Sequence, residues 1–137
     1  MLDLIYNRLQ NDAKITTEVG AEVYPYIREQ GKDLPAIFIE QSSAQFSETL
    51  GKTSHGDEFT FAVFCLSKTL SDSISLGRLV RDNLDGLNGS FTIGSNSYEV
   101  YKCTINELRT DILEDGEIFV TEAGFNILIQ HTAESAL

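Results

Sequence analysis

Residues 2–12 place Leu2, Ile5, Tyr6 and Leu9 at i, i+3, i+4 and i+7, with Asp3, Asn7, Arg8 and Gln10 on the other side. That period predicts an amphipathic helix. Residues 13–35 are mixed and are punctuated by Gly20, Pro25, Gly31 and Pro35. Within them, EVYPYIRE reads as a short edge strand broken at Pro25. Residues 36–41 (AIFIEQ) read as a strand. Residues 42–57 are polar, carry Gly51 and Gly56, and hold only Phe46 and Leu50 as large apolar groups. They predict a long loop or hairpin projecting from the body. Residues 58–67 are apolar on both faces, with Phe59, Phe61, Val63 and Cys65 on one and Ala62, Phe64 and Leu66 on the other. Such a strand is central and covered.

The helical period returns over residues 72–86, where Leu76, Leu79, Val80, Leu84 and Leu87 form the apolar stripe. Asp72 or Ser73 is placed to cap its start and Gly86 to end it. Residues 90–94 and 98–106 predict a hairpin across Gly94-Ser95-Asn96-Ser97. Residues 107–117 read as an acidic loop closing at Asp115-Gly116, and 118–130 as the last long strand. There Phe119, Ala123, Phe125, Ile127 and Ile129 share one face. Helix, strands, helix, strands gives an α+β class. The predicted architecture is a mainly antiparallel sheet of four to five strands with two helices on one face and a projecting hairpin or loop.

Composition narrows this picture. The 137 residues suit one domain, 1–137, large enough for a core without disulfides or a metal. Charged residues make up 23% of the chain and the formal net charge is −11. Tight phosphate binding needs clustered Lys and Arg, so a simple nucleic-acid binder is excluded. The start, MLDLIYNRLQ, has no basic region followed by an apolar one, so no signal peptide is expected. The longest unbroken apolar run is the six residues Phe61–Leu66, too short to span a bilayer. Cys65 and Cys103 lie far apart in apolar, strand-like runs and read as reduced core residues of an intracellular protein.

No assembled chemistry is legible. Gly51-Lys52-Thr53 resembles the end of a P-loop, but the glycine required five positions earlier is Phe46. His55 and His131 show no zinc spacing with the two cysteines. There is no Gly-x-Ser-x-Gly elbow, and the apolar run around Cys65 would blunt its thiolate. Asp82-Asn83-Leu84-Asp85-Gly86 brushes against a calcium loop, but Leu84 stands at a ligand position. No catalytic residue, cofactor or metal ligand is assigned, and the chain is not read as an enzyme.

The charge is uneven. Residues 1–70 hold 10 acids and 6 bases; residues 71–137 hold 11 acids and 4 bases. From Glu107 to Glu122, six acids (Glu107, Asp111, Glu114, Asp115, Glu117 and Glu122) face one base, Arg109. Three readings stand open: a solvated loop that aids solubility, a surface that repels nucleic acid or mates with a basic partner, and a divalent-cation site.

The residue pattern is also familiar as a whole. IYNRLQNDAKI comes first. It is followed by Gly20-Ala21-Glu22-Val23-Tyr24-Pro25, the Leu34-Pro35-Ala36-Ile37-Phe38-Ile39 strand, FTFAVFCLS, and a helix with Leu76-Gly77-Arg78-Leu79-Val80-Arg81-Asp82-Asn83-Leu84-Asp85-Gly86. The chain is similar to the tail completion, or tail terminator, proteins of long-tailed bacteriophages, minor tail proteins of the head–tail joint. The match is weakest from residue 90 onward. These are packing and turn residues, and the resemblance carries over no catalytic residue.

The resemblance implies a homo-oligomeric ring, a hexamer, on the head-proximal end of the tail tube. Such a ring stops tube growth, meets the tube protein and the head-connector or neck protein, and lets DNA pass without specific binding. It implies a place in the virion tail, assembled in the bacterial cytoplasm, with no membrane. On that reading Phe46 and Leu50 are candidate inter-subunit anchors, unless they fold back onto the body. Glu107, Asp111, Glu114, Asp115 and Glu117 are candidates for an acidic channel or partner face. The alternatives are a neck or head-closure ring of the same virion and an acidic, DNA-mimicking protein aimed at a host partner.

Overall fold

The computed structural model describes residues 1–25, 34–45, 57–113 and 117–133. The elements in order are α1 (Leu2–Gln10), α2 (Ala13–Val19), β1 (Val23–Tyr24), β2 (Ala36–Gln45), β3 (Asp57–Ser67), α3 (Leu70–Leu84), β4 (Gly89–Ile93), β5 (Asn96–Ile112) and β6 (Phe119–Ala133). The class is α+β, as expected. The count is three helices and a six-stranded sheet ordered β1-β2-β3-β6-β5-β4, rather than two helices and four or five strands.

The extra helix lies in the stretch read as mixed. Asp12 caps it, accepting from the N–H groups of Lys14 (2.8 Å) and Ile15 (3.2 Å). Ile15 and Val19, four apart, bury its inner side, and Gly20 ends it at φ 61°, a backbone region that favours glycine. The short edge strand read in EVYPYIRE is β1, at the border of the sheet before Pro25, paired parallel to β2 through Val23↔Ile37 and Tyr24↔Phe38. Every other pairing is antiparallel.

The first helix buries Leu4 beside Ile5 and Leu9, while Leu2 and Tyr6 of the predicted stripe are only partly buried. Helix α3 begins earlier than expected. Thr69 is its cap, its side chain accepting from Asp72 N–H at 3.3 Å, so Asp72 and Ser73 lie inside the helix. Ser73, Leu76, Gly77, Val80 and Leu84 face the sheet. Gly77 sits so close to β6 that an added Cβ would run into Thr121 Cγ2. A glycine in mid-helix costs conformational entropy, and here it permits the close approach.

β3 is central, between β2 and β6. Its inner face (Phe61, Val63 and Cys65) is fully buried, and Phe61 stacks on its cross-strand partner Phe125 at 5.2 Å between ring centroids. The outer face is less covered than two-sided hydrophobicity predicts. Ala62 and Phe38 are buried, but Phe64 and Leu66 remain half-buried. The helices lie on the inner face, and on the outer face Tyr24 stacks on Phe38 at 5.5 Å.

The stretch read as an acidic loop is the largest correction. β5 runs on to Ile112, and residues 107–112 pair with Phe119–Gly124 of β6. Leu113 N–H donates to Ile118 O at 2.8 Å, one rung past the ladder. The acids hid a period of two, with Leu108, Thr110 and Ile112 on one face and Glu107, Arg109 and Asp111 on the other. Two bulges, at Val100/Lys102 and Ile105/Glu107, reset the register and keep the apolar positions on the inner face.

Candidate interaction surface

The far end of the β5–β6 hairpin gathers the features that could serve a partner. On the outer face Arg109 is ringed by carboxylates. Its Nε lies 3.3 Å from Glu107 Oε1, and its Nη2 donates to Glu122 Oε1 at 3.1 Å. Hydrogen bonding to Glu122 first, then the charges of Glu122, Glu107 and Asp111, strengthen its hold on the proton. Of the predicted acidic face, Glu107, Asp111 and Glu117 are exposed. Glu107 is spent partly on Arg109, so the face is mixed in sign. Glu114 and Asp115 lie outside the described residues, as do Phe46 and Leu50, the proposed anchors.

The inner face at the same end is apolar and open. Leu108 is 39% exposed there and Ile112 58%. Leu113, one residue past Ile112 and so off that face by alternation, is 36% exposed, and Leu70 at the start of α3 47%. Among the described residues, the one other exposed large hydrophobic side chain is Tyr101. Sequence reasoning passed over Leu108, Ile112 and Leu113 because it took 107–117 for a loop. The alternation in Glu107-Leu108-Arg109-Thr110-Asp111-Ile112 was the available signal.

A chain of hydroxyls, buried at Ser73 and Thr121, anchors this end to the body. Ser73 Oγ donates to Cys65 O at 3.0 Å and lies 2.8 Å from Thr121 Oγ1, which is 2.9 Å from Thr110 Oγ1. One hydroxyl has one proton. With that of Ser73 committed to Cys65 O, Thr121 donates to Ser73 and accepts from Thr110. The chain ties β5, β6, α3 and β3 together.

The helix layer has its own polar ties. Asn83 Nδ2 donates to Asp12 Oδ2 at 2.8 Å and to Arg8 O at 3.3 Å, joining α3 to α2 and α1. Burial pushes the Asp12 carboxyl up. The hydrogen bonds from Asn83 and from the Ile15 and Lys14 N–H groups outweigh it and hold the group below the usual range. At the sheet end of α1, Tyr98 Oη donates to Asp3 Oδ1 at 2.5 Å. Burial, and then Asp3, push the phenol well above its ordinary value.

Nothing described here has the form of a reaction centre. Cys65 and Cys103 are both free and buried, with thiols pushed up to about 12, by burial in each and also by the Asp85 charge at Cys103. Thiolate nucleophiles need the opposite shift. Among the described residues no three His, Cys, Asp or Glu side chains come together as a metal ion would need. His55 and the side chain of His131 lie outside them. No helix among the described residues is long and apolar enough to cross a membrane.

Comparison with known proteins gives one kind of match. No family model matches the chain, and no curated protein does. Among solved structures, a chain of the "Virion of native gene transfer agent (GTA) particle" superposes with a TM-score of 0.68. It is 16% identical, and the match covers 91% of this chain and 90% of that one. The two share a fold along nearly their whole lengths.

Proposed function

We propose that the protein is a structural virion subunit. Its copies form a ring, a hexamer, on the head-proximal end of a phage tail tube, end tube polymerisation there and present the surface that joins the head. The observation that carries this is the fold shared with a virion chain over 91% of the length, in a sequence whose element order resembles the tail terminators. The partners on this reading are the tube protein, the head-connector or neck protein and the other copies of the chain. DNA passes through unbound. A net charge of −11 per copy suits both a passage that must not hold phosphates and a subunit that must stay dispersed before assembly. Each copy serves as a single domain and performs no catalysis.

Electron microscopy of the purified protein, at rising concentration and with added tail tubes, tests the reading. Rings and one decorated tube end are expected. Protein that never forms rings and leaves tube ends bare overturns it. A neck or head-closure ring is the neighbouring reading, favoured by the same shared fold; rings that decorate connectors and ignore tubes would select it.

A further inference from the structure

Past the short strand β4, the far part of β5 is an edge of the sheet with no neighbouring strand among the described residues. β4 pairs only with Asn96–Val100. Just beyond, Gly86 N–H donates to Cys103 O (2.8 Å) and Ile105 N–H donates to Asp85 Oδ1 (2.9 Å), which closes that stretch. From Glu107 to Ile112, no strand among the described residues lies on the outer side. Leu113 N–H points inward, to Ile118 O. By strand alternation the N–H and C=O groups of Leu108, Thr110 and Ile112 therefore point outward. An exposed edge of this kind is a template for another strand.

The residues on the edge say which strand. Leu108-Arg109-Thr110-Asp111-Ile112 runs apolar, cation, threonine, anion, apolar. Laid antiparallel on itself about Thr110, it sets Leu108 against Ile112, Arg109 against Asp111 and Thr110 against Thr110. The residues whose backbone groups point outward then face one another, so main chain and side chains choose the same register. On the inner face the exposed Leu108 and Ile112 cover each other. On the outer face Asp111, which makes no ion pair among the described residues, gains a guanidinium. Arg109 has five N–H donors, and among the described residues its ion pairs are with Glu107 and Glu122. Opposite charges directly across an antiparallel pair are favourable, and like charges are not.

We propose that this edge binds a second copy of the chain, in an antiparallel β-pairing about a two-fold axis at Thr110. A two-fold contact uses one patch on both copies, whereas closing a ring uses two different patches. The pairing is thus separate from the ring, and its failure leaves the ring reading standing.

Charge reversal tests it. Arg109→Glu alone sets two carboxylate pairs across the two-fold, and Asp111→Arg alone sets two cation pairs. In a mixed dimer of the two variants both pairs become opposite again. Light scattering on gel-filtered protein should show wild-type dimers, self-association of each single variant weakened by about tenfold, and dimers restored on mixing. In the wild type, the amides of Leu108, Thr110 and Ile112 should also exchange with solvent more slowly as concentration rises. Wild-type protein that stays monomeric, single variants that associate as it does, a mixture that stays apart, or exchange at those amides that ignores concentration each overturns the pairing.

Discussion

The two ends of the β5–β6 ladder follow one alternation and meet opposite environments. At the near end Val100, Cys103, Phe125, Ile127 and Ile129 point inward and are buried. At the far end Leu108 and Ile112 point to the same side, yet stand 39% and 58% exposed. What differs is the cover. α1 and α3 lie over the near end, and α3 touches down on Thr121 through Gly77 and Ser73. Past Thr121 the inner side is more open, and Ile112, opposite Phe119, stands more exposed than Leu108, against which α3 still lies at Gly77. Alternation thus makes a strand, but whether its apolar side is core or surface depends on how far the helix layer reaches.

Substitutions can break or sharpen this contrast. The largest effect is expected at Phe125, where truncation to Ala opens a cavity against Phe61 and costs about 3–5 kcal/mol. Ile112→Ala on the same face of the same hairpin should stay within about 0.5 kcal/mol. Urea unfolding of the two variants measures both, and equal losses would abolish the distinction between the ends.

Gly77→Ala comes next. Its Cβ collides with Thr121 Cγ2, a stiff, buried, hydrogen-bonded neighbour. The clash should cost about 1–3 kcal/mol although alanine is the better helix former. Thr121→Ser removes that methyl and keeps the hydroxyl. A double-mutant cycle should therefore show Gly77→Ala cheaper in the Thr121→Ser background, and additive losses would mean the close approach is not what sets the cost.

Ser73→Ala leaves Cys65 O and Thr121 without their buried partner, and about 1–2 kcal/mol should be lost. Hydrogen exchange in β5 and β6 should rise most beside Thr110 and Thr121, because that is where the hydroxyl chain fastens the exposed end.

The smallest effect concerns the helix layer. The Asp12 carboxyl is held below its ordinary value in the folded chain. Its contribution is fully present above the unfolded carboxylate range, near pH 4, and is lost as pH falls through the lower folded value. Asn still caps a helix, so Asp12→Asn should cost a few tenths of a kcal/mol at neutral pH. Thermal melts from pH 6 to pH 2 should show a shallower acid decline for the variant; an unchanged slope would remove Asp12 from the acid response.

Several of these features were readable in the residues and several were not. The i, i+3, i+4 stripes of α1 and α3 survive with their ends shifted by a residue or two, since caps such as Thr69 compete with equally good neighbours. The two-sided apolar run of β3 correctly marked the centre of the sheet. α2 escaped because seven residues carry only Ile15 and Val19 as a stripe, although Asp12 and Gly20 frame them as cap and stop. Residues 107–112 escaped because acids and a distant Asp-Gly suggested a loop. What makes them a strand is pairing with β6, in which Arg109 meets Glu122 and Thr110 meets Thr121.

By itself the sequence determined the class, the two long helices, the central strand and an acidic balance that disfavours phosphate binding. All of these rest on spacing within about a dozen residues or on composition. Only the tertiary structure decided that β6 inserts between β3 and β5, that α3 approaches through Gly77, and that the last residues of β5 keep an exposed inner side and an edge with no neighbouring strand among the described residues. Those outcomes depend on which distant segments pack against one another, and a local period records which side of a strand is apolar without recording what will lie over it.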